Sequence, residues 1–310
     1  MIAAFNHEPI TGHVPHFELV FFLTMEAFGK VHPSHRSFGQ WNQMSTKERE
    51  LQLQDVADCF ILTAEKYGHS AIFVHPCVHG FDSVKRLLEI IREKSGDEYF
   101  LMMHGDCTRP MPGGDRMTEV SAQMYEEPEV LIEESNRYLD ECLNFAQKFR
   151  GTGLLDGFAL CSDYCFNTAP FYSPEMFDIF VVPQLRAVIK GYREMGFYSI
   201  KHTDGNIMPI LEQILDCKPD AIHSLDPQGG VDLAEVKRIA GKRAALIGNV
   251  NCGLLQTGTE EEVRGDVLRA LRDGMPGGGY IFSTSNCVYT GLPLERYEMM
   301  HGLWREHGVY

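Results

Sequence analysis

The sequence predicts an α/β protein folded as a single (β/α)8 barrel, the TIM-barrel form, over residues 1–310. Three observations predict it. Short apolar runs alternate with amphipathic helical patterns eight times along 310 residues. No two runs are joined by a tight-hairpin signal, so the strands are expected to be parallel, with helical crossovers. Polar, chemistry-bearing residues also recur where the runs end, the face on which such barrels carry their sites. An open doubly wound sheet would fit the alternation, but no glycine-rich dinucleotide fingerprint follows the first strand. No linker or low-complexity segment divides the chain.

The elements follow in order. Val14–Phe22, VPHFELVFF, is the first strand, its apolar run interrupted by His16 and Glu18. Thr24–Ser45 lacks periodicity and reads as a long loop over the site or a short helical excursion. Thr46–Tyr67 is a helix capped by Ser45 or Thr46, with Glu48 or Glu50 in its first turn. Ser70–His75 is strand two and Asp82–Lys94 its helix. Glu98–His104 is strand three, and Glu129–Arg150 the helix before strand four, Gly157–Leu160. Ser173 and Pro174 open one long helix to about Met195. Strand five, Phe197–Ile200, runs into the polar stretch of YSIKHTDGN. A helix then places Ile207, Ile210, Leu211, Ile214 and Leu215 on one face. Asp220–Leu225 and Val231–Ile239 form the sixth pair. Arg243–Gly248 and Thr259–Asp273 form the seventh, with Thr259 and Glu262 spaced as a capping box. Gly279–Ser283 and Pro293–His307 close the chain.

A formal charge of −15 disfavours nucleic acid, anionic membrane and polyanionic substrates as partners. No apolar run approaches bilayer length, and Met1–Pro15 has no signal-peptide pattern. Nine cysteines without a CxxC fit a reducing cytoplasm.

The strand ends carry the candidate site. His202 and Asp204 lie two apart in an extended segment and so face the same way. Imidazole with thiolate suits zinc, so His202 and Cys287 are the central ligand pair. A carboxylate from Glu18 or Asp204 would complete a three-ligand open site. Glu18 stands inside FELVFF, where a carboxylate must be paired, liganded or directed into a cavity. His104, Asp163 and Tyr164 are the catalytic candidates by position. Phe17, Phe21, Phe166 and Asn249 are expected to line the substrate pocket. His75 and His223 read as structural histidines, and Asp226 before Pro227 as the start of a turn.

Several stretches resemble the uroporphyrinogen decarboxylase superfamily, and within it the corrinoid-dependent methyltransferase branch. They are CSDYCFNTAPFYSPEMFDIFVVPQLRAVI, IKHTDGNIMPILEQIL, KRAALIGNVNCGLLQTGTEEEV and GGYIFSTSNCVYTGLPLERYEMM, from the fourth-strand region to the last helix. The resemblance implies a (β/α)8 barrel, as the alternation does. Zinc methyltransferases of the branch carry His-x-Cys at strand five and a Cys after strand eight. His202 and Cys287 look like that His and the distal Cys, and Asp204 stands where the near Cys would be. The His/Asp set resembles the demethylase-type members. These move a methyl group from a small methyl ether or amine to cobalamin, the corrinoid carried by a partner protein. The resemblance thus implies zinc, a corrinoid-protein partner and a small methylated substrate, with a homodimer left open as the assembly. A decarboxylase-like lyase and a non-catalytic corrinoid or small-ligand binder are the alternatives. The decarboxylase pattern has an Arg-containing segment near strand one, where this chain has FELVFF. Glu18 would repel a polycarboxylate there.

Overall fold

The computed structural model describes residues 1–75, 77–78 and 80–310. Among the described residues, seven of the apolar runs form strands: β1 (Ala71–Phe73), β2 (Phe100–His104), β3 (Gly157–Cys161), β4 (Tyr198–Thr203), β5 (Ala221–Ser224), β6 (Ala245–Val250) and β7 (Tyr280–Thr284). They pair in sequence order and all in parallel, giving one curled α/β sheet with helical crossovers. Side chains of alternate residues divide between two cores. Inside the curl, Phe17, Phe73, Phe100, Met102, Ile200, Ile247 and Ile281 interleave with Ala159, Ala221 and Ala245. The alanines leave room for the rings. A larger core fills the space between the sheet and its helices.

The expected closed barrel of eight strands is not formed as such. Val14–Phe22 is no strand; it meets β7 only through isolated parallel bridges, His16 with Phe282 and Phe21 with Val288. Four residues on one side face five on the other between those bridges, so the ladder cannot run on in register. Pro15 has no N–H to give, although its carbonyl accepts from Phe282. Where the backbone ladder fails, the Glu18 carboxylate takes the Thr284 N–H instead, at 3.1 Å. On the other flank the His16 carbonyl accepts from Ser70, next to β1, at 2.7 Å. The segment therefore lies between the two edges of the sheet as an irregular seam.

Helix boundaries follow their caps. Ser45 with Glu48, and Thr259 with Glu262, form reciprocal capping boxes at the starts of Thr46–Tyr67 and Glu260–Gly274. The long helix expected after Ser173 is broken into Pro174–Phe180 and Val182–Met195. Pro183 cannot donate to a preceding turn and its ring crowds it, so Val181 leaves helical geometry. Within Thr24–Ser45 lie three short helical turns, tied to the helix Thr46–Tyr67 by Lys30 and Arg36 on Asp55. Among the described residues no helix is long and apolar enough to cross a membrane.

Candidate metal centre

β4 runs three residues further than its apolar pattern, so His202 lies within the sheet. Register places it between Cys161 of β3 and His223 of β5. Its neighbour Lys201 points the opposite way. That ammonium is fully buried, bound to Asp106 Oδ2 at 3.0 Å, the Ser162 carbonyl at 2.9 Å and the Leu160 carbonyl at 3.1 Å. Asp106 also accepts from Thr108 and from the Ser162 N–H. Burial alone would raise its pKa, but Lys201 and Thr108 overcome that and hold it below the ordinary carboxylate value. The pair clamps the ends of β2, β3 and β4 together beneath the site.

After β4 the chain turns sharply. Gly205 has φ +77°, and a Cβ there would stand 2.6 Å from the Phe166 carbonyl oxygen. Only glycine fits, and the turn presents Asp204 beside His202. The Asp204 N–H donates to Asp163 Oδ1 at 3.1 Å, bringing the ends of β3 and β4 together. Asp163, His202 and Asp204 offer ligand atoms all within 4.8 Å of one another. His202 Nε2 is 3.8 Å from Asp204 Oδ1 and 3.9 Å from Asp163 Oδ1. Tetrahedral ligands at zinc-like bond lengths stand about 3.4 Å apart, so small side-chain shifts would close the group on an ion. The donor set fits a divalent cation: one imidazole, two carboxylates and an open side toward the mouth.

The electrostatics agree. Burial pushes Asp204 up to about 7, reinforced by the charges of Asp163 and Asp226 and opposed by hydrogen bonds from Ser224 and Asn286. Ser224 Oγ lies 2.6 Å from Asp204 Oδ1 and 2.5 Å from the Ser285 carbonyl. One hydroxyl proton cannot serve both oxygens, so a protonated Asp204 donating to Ser224 satisfies the set. Ser224 and Leu225 hold left-handed backbone at φ +87° and +52°, a strained end of β5 at the site. Burial also pushes His202 below its ordinary value.

The other sequence-derived candidates divide. Glu18 and Cys287 stand outside the three-residue group. Glu18 is spent on Ser283, Thr284 and His16. Cys287 follows Asn286, which bonds Asp204, and burial pushes its thiol up. His104 is exposed at the mouth, its ring 4.5 Å from Phe73 and 5.2 Å from His75, centroid to centroid. Tyr164 does not face the mouth. It is fully buried behind the sheet, its hydroxyl 2.5 Å from Thr108 Oγ1 and its ring over Lys201. Residues two apart share a side of an extended chain, so Asp163 faces inward and Tyr164 outward. Asn249 is likewise sealed in, donating to the Leu225 carbonyl and accepting from Arg269. Phe21 packs outward on Tyr67 and Tyr297, whereas Phe17 lies within the curl, 6.2 Å from His223. Phe166 is part-exposed beside the Gly205 turn. Ser224 and Asn286 hold Asp204; Asn286 stands among the polar residues expected at the last strand's end, but its bond to Asp204 was not foreseen, and Ser224 was missed altogether. No local pattern marks the bonds, because their shared partner is distant in the chain.

Comparison with known proteins matches this architecture. A methyltransferase from Methanosarcina mazei superposes with TM-score 0.72 at 18% identity, over 98% of this chain and 96% of that one. A GH5_18 protein from Bifidobacterium longum subsp. infantis gives TM-score 0.50 at 10% identity, over 96% and 80%. Both likenesses are of fold. A search of curated proteins finds no match. The family model for uroporphyrinogen decarboxylase (URO-D) matches residues 109–307, a span that carries Asp163, His202 and Asp204. With well over half of its length matched, the chain belongs to the uroporphyrinogen decarboxylase family.

Proposed function

We propose that this protein is a metal-dependent methyltransferase, moving a methyl group from a small methyl ether or amine to a corrinoid held by a partner protein. The observation that carries the reading is the Asp163–His202–Asp204 cluster at the C-terminal ends of β3 and β4. The family match and the fold shared with the methyltransferase from Methanosarcina mazei support it. A bound zinc ion would supply Lewis acidity, withdrawing charge from the heteroatom of a poor leaving group. His202, Asp204 and Asp163 would hold that ion. The methyl–heteroatom bond would break with its pair left on the heteroatom, and the reduced corrinoid would supply the pair for the new bond to the methyl group. His104, at the end of the neighbouring strand β2, orients the donor. Lys201 turns its ammonium away into Asp106 and cannot greet an anion, which favours an uncharged substrate over a polycarboxylate.

Elemental analysis and a methyl-transfer assay test the reading. The purified protein is supplied with zinc, a reduced corrinoid protein and a panel of methyl ethers and amines. One bound zinc per chain and methyl transfer are expected, and His202→Ala should lose both while keeping its circular dichroism. Full metal content in His202→Ala would end the assignment. Decarboxylation of a polycarboxylate with no methyl transfer would favour the lyase instead.

A further inference from the structure

His202 has a second nitrogen, and what it meets is distinctive. Its Nδ1 lies 2.7 Å from Nδ1 of His223, on the neighbouring strand β5. Both residues are buried, His223 completely. Two ring nitrogens at that distance share a single proton, since two N–H groups would collide and two lone pairs would repel. One ring therefore donates, and its tautomer is fixed by that choice.

The rest of the chain of contacts makes the choice. His223 Nε2 faces Ser283 Oγ at 3.5 Å. Ser283 Oγ lies 3.1 Å from Glu18 Oε2. A carboxylate only accepts, so the single Ser283 proton goes to Glu18. Ser283 Oγ then has only lone pairs left for His223. Nε2 of His223 must bring the proton, and its Nδ1 must accept from His202. The Thr284 N–H donates to the same Glu18 oxygen at 3.1 Å, and Thr284 Oγ1 lies 2.5 Å from that oxygen and 2.8 Å from the Asn286 carbonyl, contacts that hold the acid in place. The hydrogens point one way, from His202 through His223 and Ser283 to Glu18. The opposite polarity would leave a proton on His202 Nε2, 3.8 and 3.9 Å from the carboxylates and too far to bond either.

We propose that His223, anchored by Glu18 through Ser283, is a positioning residue that holds His202 in its Nδ1–H tautomer, leaving the Nε2 lone pair aimed at Asp163 and Asp204. Ligating histidines generally need such an outer partner to fix ring and tautomer. The inference rests on the cation-site reading for its purpose. The buried carboxylate of FELVFF is then neither a ligand nor a packing accident but the fixed end of the relay.

Nitrogen-15 NMR of the cation-free protein tests it directly. In the wild type, the His202 ring should show the Nδ1–H tautomer. His223→Leu removes the acceptor, so His202 should lose that tautomer and zinc affinity should fall about 10- to 100-fold. His223→Asn places an amide oxygen where Nδ1 stood, and it should restore both the tautomer and most of the affinity. An Nε2–H tautomer in the wild type would overturn the proposal without any variant having to fold. So would a His223→Leu protein with unchanged tautomer and zinc affinity. A wild type that shows the Nδ1–H tautomer yet binds no zinc would support the relay and overturn only the metal reading.

Discussion

At the scale of single residues, Asp204 decides how the site responds to pH. Its carboxyl is held up to about 7, chiefly by burial. Its pKa is therefore higher in the folded chain than in the unfolded one. A group raised in this way stabilises the fold fully below its unfolded pKa, and that contribution is lost as pH rises through about 7. A cation reverses the preference, because it takes the deprotonated form and releases the proton. Two outcomes follow. Zinc affinity of the wild type should fall about tenfold per pH unit below that pKa and level off above it. The cation-free Asp204→Asn variant should melt higher than the cation-free wild type at alkaline pH, with the gap closing as pH is lowered. It should bind zinc poorly throughout. Calorimetric titration and thermal melts across the pH range read both, and a flat affinity profile in the wild type would refute the linkage.

At the scale of elements, the clamp behind the site separates stability from chemistry. Lys201 and Asp106 are both buried, and removing one partner leaves the other charge unpaired. Lys201→Ala should cost about 3–5 kcal/mol in denaturant unfolding. Tyr164→Phe removes only a hydroxyl contact to Thr108 and should cost about 1 kcal/mol. Because Tyr164 lies behind the sheet, that variant should keep the wild-type zinc stoichiometry; loss of the metal would show that its hydroxyl reaches the site after all. The same elements show what can be read from sequence. Buried apolar runs marked seven strands to within a few residues, because burial on both faces leaves them almost uninterrupted. Capping boxes marked helix starts because the signal is local. The His202–Asp204 pair was legible from its spacing; Asp163 was expected at this face as a catalytic group, whereas the structure gathers it with the pair in the place expected for Cys287 or Glu18. Strand alternation puts Tyr164, one residue on, behind the sheet, so it and Asp163 could not both face the mouth. Which side Asn249 and Phe21 would take was not legible, since a one-residue difference in where a strand stops reverses the facing of every later residue. Contacts such as Ser224 and Asn286 on Asp204 depend on register between distant strands.

At the scale of the whole molecule, the curled sheet has one weak meridian. Residues 14–22 lie between β7 and β1 without a ladder, although their apolar run is as strong as any other. Glu18 explains both facts: a buried carboxylate needs several donors, and it obtains them from Ser283 and Thr284, where a backbone carbonyl would otherwise pair. The seam thus exchanges regular pairing for a fixed acid behind His223. Phe17 and Phe22 donate their amides across it to Phe282 and Val288, whereas no backbone acceptor takes the amides of Glu18, Leu19 and Val20 among the described contacts. Amides without partners depend on burial alone for protection. Native-state hydrogen exchange should therefore show Glu18, Leu19 and Val20 exchanging through local opening, at rates insensitive to low denaturant. Amides of β3 to β6 should exchange only through global unfolding. Glu18→Gln weakens acceptance from Ser283 and Thr284, and it should speed exchange at Phe17 and Thr284 more than anywhere in β4. Uniform protection across residues 14–22, matching that of β4, would show that the eighth stave is a regular strand in solution and that Glu18 does not hold the seam.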